Sequence, residues 1–370
     1  MNASKHGQNT RGWLMWVALA AALVIGGVIG GVIVAATRTS AATASAPSPG
    51  TSNSAQVSAC NVTAVADQVL PSVVTISAQG GGGAGTGSGE VIRPDGYILT
   101  NNHVITVAAN GGSVQVQFSD GQTAPAAITG RDPQTDLAVL KVDASVKVKV
   151  IALGQSSSVK VGQASVVIGA PLGLSGTVTS GIISALDRTV QVPAENDTTA
   201  LLVSAVQTDA SINPGNSGGA MVNCSDQLIG VPTAGATVPS ESGQSSGGSI
   251  GLGFAIPVDL AKTISDEIIA TGRVTHAFFG LQTVPIPPAA AAQAGVPQGL
   301  FVRGVTSGGP SARAGLQPED VVTSINGEPA TSNVQLQEIT LTKKPGDTVP
   351  LEYWRNGHTT KTTVTLGAQP

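Results

Sequence analysis

Ser217 stands in NPGNSGG (213–219), where flanking glycines free the backbone for bends closed to other residues. A serine hydroxyl is a poor nucleophile at neutral pH until a base takes its proton, and histidine is the usual base. The chain has four histidines. His6 precedes a long apolar run, and His276 and His358 lie in the last hundred residues, so only His103 shares the strand-rich body with Ser217. It sits in YILTNNHVI, at the end of an apolar run, a position that projects a side chain into a cleft. The other ring nitrogen needs a carboxylate to hold the tautomer. Asp136 opens DLAVLKV and anchors its carboxylate on strand backbone; Asp132, before Pro133, reads as a turn residue. A bend at Gly215 also aims the N–H groups of Gly215 and Ser217 into one space, where they can stabilise a tetrahedral oxyanion. These residue types in this order point to acyl transfer by a Ser-His-Asp constellation.

The elements that must position them are mostly strands. From Val62 onward, short runs rich in Val and Ile alternate with glycine-rich breaks, which suits a barrel or a pair of barrels. Aromatic residues make up only 3%, so the core has to be aliphatic. PVDLAKTISDEIIATG (257–272) reads as a helix, opened by proline with an early Asp259 and closed by Gly272. Beyond it, strands are expected at FFGLQTV and GLFVRGV. A helix is expected at NVQLQEITLT, with Val334, Leu336, Ile339 and Leu341 facing a core, and a hairpin at Asn356-Gly357. QGGGGAGTGSG (79–89) fits GxGxxG at Gly80, Gly82 and Gly85, but a strand follows where a dinucleotide loop needs a helix. It is expected to be a flexible hairpin connection.

Residues 13–36 carry no charge, long enough to span a bilayer at roughly 20 residues. Trp13 and Trp16 mark one end, and Lys5 and Arg11 place the amino terminus inside. This predicts a cytoplasmic tail (1–12), a transmembrane helix (13–36) in the cell membrane, kept in preference to a cleaved signal, and a flexible linker (37–59). The rest lies outside, where Cys60 and Cys224 are expected to form a disulfide, ahead of two free buried thiols. Net charge is −4 without a basic stripe, which excludes nucleic acid as a partner. The dispersed histidines and two distant cysteines predict no metal and no cofactor.

GYILTNNHVI, DLAVLKV, GTVTSGIISAL, QTDASINPGNSGGAMVN and GLGFAIP together resemble the HtrA/Deg proteases over about residues 65–370. The resemblance implies a mostly β chymotrypsin-like double β-barrel over 60–272, followed by an α+β PDZ domain over 273–370. It implies a serine endopeptidase that cleaves unfolded or misfolded extracytoplasmic proteins, with His103 as base, Asp136 as orienter and Ser217 as nucleophile. Gly215, Asn216 and Ser217 would supply the oxyanion backbone. Ser211 and Ile212, facing Leu252, would border the specificity pocket, which has no acidic residue at its base and so would take small or medium aliphatic side chains. In the PDZ domain, the loop Phe278–Leu281, with Phe279, Gly280 and Leu281, would capture a peptide's C-terminus and add it as a strand. The chain departs from the family in its short 79–87 stretch, in Glu90 where an apolar residue is usual, and in lacking the aromatics before Val73 often used for trimer contacts; the resemblance still keeps a homotrimer among the expected partners. A tethered chaperone or stress sensor with a silent protease site is the competing reading.

Overall fold

The computed structural model describes residues 60–370 apart from 82, 144, 171–175, 194–198 and 236–248. The tail, apolar segment and linker expected within 1–59 lie outside the described residues. Among those described, no helix is long and apolar enough to cross a membrane.

Six antiparallel strands close a first barrel: β1 (Val73–Gly80), β2 (Gly83–Val91), β3 (Tyr97–Thr100), β4 (Ser113–Gln117), β5 (Thr123–Asp132) and β6 (Leu137–Val142). Their order is β1-β2-β3-β6-β5-β4. Alternate residues fill the inside, with Ile76, Ile98, Val116 and Leu140 fully buried. β5 is absent from the sequence-level expectation because Pro125 and Gly130 read as breakers. Gly130 is required by packing instead: a Cβ there would lie 2.3 Å from Gly272 O.

The glycine run after β1 is mostly strand. β1 and β2 pair from Val73↔Glu90 to Gly80↔Gly83, so the expected flexible connection is corrected to ladder. Its glycines serve close approach. A Cβ on Gly85 would lie 2.6 Å from Val104 O, and one on Gly87 2.6 Å from a Val104 methyl. The short helix Asn102–Ile105 therefore rests directly on β2.

The second body is built of β7 (Ala152–Leu153), β8 (Ala164–Gly169), β9 (Thr177–Pro193), β10 (Thr199–Thr208), β11 (Ala220–Val222), β12 (Gln227–Gly235) and β13 (Gly253–Pro257). The order is β11-β8-β9-β10-β13-β12-β7, and a further β11–β12 pairing closes the ring. The helix Val258–Thr271 ends at Gly272, whose φ of 79° only glycine adopts without cost. Its Ala261, Ile264 and Ile268 pack against Leu137 and Val139 of β6 and also Val231 and Ile256 of the second barrel. It thus fastens the two barrels together.

The last strands are β14 (Ala277–Phe278), β15 (Leu281–Pro285), β16 (Leu300–Val305), β17 (Val321–Ile325), β18 (Glu328–Pro329), β19 (Thr348–Arg355), β20 (His358–Thr365) and β21 (Gly367–Ala368). β15-β16-β17-β19-β20 form one sheet with β18 beside β17, and β14 pairs β21. Asn356 (φ 50°) and Gly357 (φ 87°) turn the β19–β20 hairpin. The helix Asn333–Thr342 opens with a capping box between Ser332 and Gln335. Leu336 and Ile339 enter the core of this sheet, whereas Leu341 and Val334 pack with Leu201 and Val203 of β10. The four apolar residues expected to share one core serve two.

Cys60 and Cys224 are joined by a disulfide, their Cα atoms 5.3 Å apart across 164 residues of sequence. Next to it, Asn61 caps the helix Val62–Val69, and Val65 and Val69 pack on Val166 and Ala220 of the second barrel. Replacing both cysteines by serine should lower the unfolding free energy by about 2–4 kcal/mol, read as a lower urea midpoint. Two titratable thiols in the unreduced, denatured wild type would contradict the bond.

Candidate active site

Asp136 immediately precedes β6, and its backbone is left-handed (φ 57°), a conformation costing of the order of 1 kcal/mol outside glycine. The fold holds it there. Asn102 N and Asn101 Nδ2 both donate to Asp136 O, at 3.1 and 2.9 Å. The carboxylate is buried and accepts three further hydrogen bonds. His103 N donates to Oδ1 at 2.9 Å, His103 Nδ1 to Oδ2 at 2.8 Å, and Thr233 Oγ1 to Oδ2 at 2.5 Å. Because a carboxylate oxygen only accepts, Nδ1 carries the proton and Nε2 is left with its lone pair. The imidazole is 41% exposed, open to a substrate.

Ser217 comes from the opposite barrel, on the loop between β10 and β11. Its Oγ donates to Thr233 O at 3.3 Å. Thr233, on β12, thus touches both the carboxylate and the serine hydroxyl. Sequence reasoning gave it no role, because a lone threonine in a strand carries no signal of its partners.

The loop that bears Ser217 turns at Gly215 (φ 102°) and Gly218 (φ 77°). Among the described residues, the N–H groups of Gly215 and Ser217 have no acceptor, whereas Asn216 N donates to Asn213 O at 3.0 Å. Of the three backbone N–H groups expected at an oxyanion site, that of Asn216 is thus already bonded inside the loop. Asn216 itself is fully buried, and its Nδ2 donates to Ser211 O at 3.3 Å. Ser211 O also accepts from Thr179 Oγ1 at 2.9 Å. Ile212 is buried in the core of the second barrel with Ile183 and Met221, and a Cβ on Gly253 would meet it at 2.6 Å. Leu252 is 39% exposed beside it.

A second His–Asp pair lies at the start of the C-terminal sheet. His276 Nε2 is 2.9 Å from each carboxylate oxygen of Asp132, both residues being buried. Asp132 ends β5 and is a clamp between the barrel and the later sheet, not a free turn residue. Further on, Gly280 has φ 74° and its carbonyl accepts Thr306 N at 2.9 Å, while Phe279 O accepts Ser311 N at 3.0 Å. The N–H groups of Phe279 and Gly280 have no backbone acceptor among the described residues. Leu281 begins β15, the edge strand of its sheet.

Two barrels with a histidine–aspartate pair on one and a serine in a glycine bend on the other define a trypsin-like peptidase, here followed by a PDZ domain. A trypsin-like peptidase domain model matches residues 87–231 and a PDZ domain model residues 277–366. The chain is 42% identical over 314 residues to the serine protease PepD of Mycobacterium tuberculosis, covering 83% of this chain and 66% of that protein. It is 39% identical over 285 residues to the periplasmic pH-dependent serine endoprotease DegQ of Escherichia coli, covering 76% and 59%. It thus spans roughly three-fifths to two-thirds of the length of these curated relatives. Among solved structures, the HtrA-type protease AlgW with decapeptide superposes with a TM-score of 0.65 at 33% identity, covering 83% of this chain and 98% of that one. The chain belongs to the HtrA/Deg family of trypsin-like serine proteases with a C-terminal PDZ domain.

Glu90 is an ionisable group placed in the core. It is fully buried on β2, and neither carboxylate oxygen meets a protein donor. Burial pushes its carboxyl well above the usual carboxylate range, against the opposing effect of its own backbone N–H. The folded chain then binds more protons than the unfolded chain between the usual carboxylate range and the raised value. Stability from this group is full at low pH and falls as pH rises through that window. Glu90→Gln should remove the slope, about 1.4 kcal/mol per pH unit while it acts, so urea unfolding should show a larger gain at pH 8 than at pH 5. Separately, Thr233→Val should lower kcat/KM about tenfold, a loss of about 1.4 kcal/mol, with the fold intact by circular dichroism.

Proposed function

We propose that the chain is an extracytoplasmic serine endopeptidase in which His103, Asp136 and Ser217 form the catalytic triad. The observation that carries this reading is the buried Asp136 carboxylate gripping Nδ1–H of His103, which leaves the Nε2 lone pair free, with Thr233 bonded both to that carboxylate and to the Ser217 hydroxyl. Substrate binding would turn the Ser217 hydroxyl from Thr233 O towards Nε2. His103 takes its proton as Oγ attacks the scissile carbonyl, and the oxyanion is met by the N–H groups of Gly215 and Ser217. His103 then protonates the leaving amine, and water hydrolyses the acyl-enzyme by the same route.

Misfolded extracytoplasmic proteins are the proposed substrates, and the periplasmic relative supports that compartment. Residues 13–36 would anchor the chain in the cell membrane. The Phe279–Leu281 loop and the β15 edge would take a peptide C-terminus, since unpaired N–H groups beside an edge strand suit a carboxylate and an added strand. A second reading, a tethered sensor whose site is silent at rest, is favoured by one observation: the serine hydroxyl bonds Thr233 O and not His103.

A fluorophosphonate probe should label the wild type and leave Ser217→Ala unlabelled. Hydrolysis of an unfolded protein should drop by at least about 10³-fold in that variant. Labelling that appears only with added C-terminal peptides supports a gated enzyme. No labelling under either condition defeats the enzyme reading.

A further inference from the structure

Every polar group of Ser88, on β2 of the first barrel, is hydrogen-bonded, and its N–H and hydroxyl proton both go to the loop that bears Ser217. Its N–H donates to Ser217 O at 2.9 Å. Its hydroxyl donates to Gly215 O at 2.6 Å and accepts from Ala170 N at 2.7 Å. Its carbonyl accepts Thr100 Oγ1 at 2.6 Å. The residue is fully buried. A hydroxyl has one proton, and the Ala170 N–H approaches the oxygen as a donor, so that proton is left for Gly215 O.

We propose that Ser88 is a positioning residue that sets the oxyanion hole. The peptide unit joining Gly215 to Asn216 is planar, with its C=O and N–H pointing opposite ways. Ser88 holds the C=O on one side, and Asn213 O takes the N–H on the other. That fixed plane lies between the two peptide units that carry the Gly215 and Ser217 N–H groups. Without it, glycine's freedom at 215 lets the first of them swing away. The same hydroxyl ties the hole to Ala170, so the segment that follows β8 bears on the donors through one hydrogen bond. Crowding at Gly169 supports a built relay: a Cβ there would lie 3.0 Å from Ser88 Oγ and 2.7 Å from Asn216 Oδ1.

The inference rests on the reading of Ser217 as nucleophile. Ser88→Ala should lower kcat about 10- to 100-fold, less than the 10²–10³ of deleting a donor outright, with KM within about twofold. Affinity for a peptidyl boronate, whose tetrahedral oxygen occupies the hole, should fall by the same factor as kcat/KM, and binding of the cleaved product peptide should not change. Ser88→Cys, of similar size with a weaker donor, should lie between; it carries the test if Ser88→Ala fails to fold. Wild-type kcat and boronate affinity in the folded variant would overturn the proposal, as would equal losses in boronate and product binding. A wild type that no fluorophosphonate labels defeats the Ser217 reading itself, an outcome distinct from both.

Discussion

The Asp136 carboxylate is the point on which the described structure converges. It is buried, it sits on left-handed backbone, and it accepts from His103 twice and from Thr233 once. Two of these donors belong to the first barrel's short helix and one to the second barrel's β12. A buried carboxylate short of donors is costly, so the bond from Thr233, made only when the second barrel is docked, completes what the two His103 bonds begin within the first. The seam between barrels and the orientation of the imidazole are therefore one problem with one solution. The helix Val258–Thr271 adds the apolar half of that solution by packing on both barrels at once.

Close approach is the second constraint. The helix bearing His103 lies so near β2 that side chains at 85 and 87 would collide with Val104, and Gly218 lets the nucleophile loop pass within reach of Ser88 O. Removing side chains costs conformational entropy in the unfolded chain but brings backbone within hydrogen-bonding distance of backbone. Polar atoms are consequently buried at the seam. Most find partners, and Glu90, Thr75 Oγ1, Asn101 Oδ1 and Asn216 Oδ1 are the described exceptions. They cluster along β1, β2 and the two loops that bear His103 and Ser217, where packing and placement of reacting groups compete.

The PDZ domain is not a loosely strung appendage. His276 reaches Asp132, four residues before Asp136 in the chain, and the helix Asn333–Thr342 divides its apolar residues between its own sheet and β10. Gln134 and Gln369 bond across the same junction at 3.0 Å. The segment carrying Asp136 is thus in direct contact with the domain whose β15 edge is proposed to take a peptide.

Much was legible in residue order alone. One eligible histidine, an aspartate opening an apolar strand and a serine between glycines single out the groups proposed to react, because nucleophilic catalysis tolerates few residue types. Alternating apolar runs gave the strands, and Asn356-Gly357 gave its hairpin, because these signals are local. What failed was non-local. β5 hid behind Pro125 and Gly130, and the glycines of β2 looked like a loop, since each is explained by a neighbour distant in sequence. Thr233, Ser88 and the Asp132–His276 pair were invisible for the same reason: a hydroxyl or carboxylate acquires its role from the atom 3 Å away. The sequence by itself determined the chemistry available and the local elements. Only the tertiary structure decided which donors remain free and which are already used, because hydrogen-bond pairing across two barrels is a property of their docking.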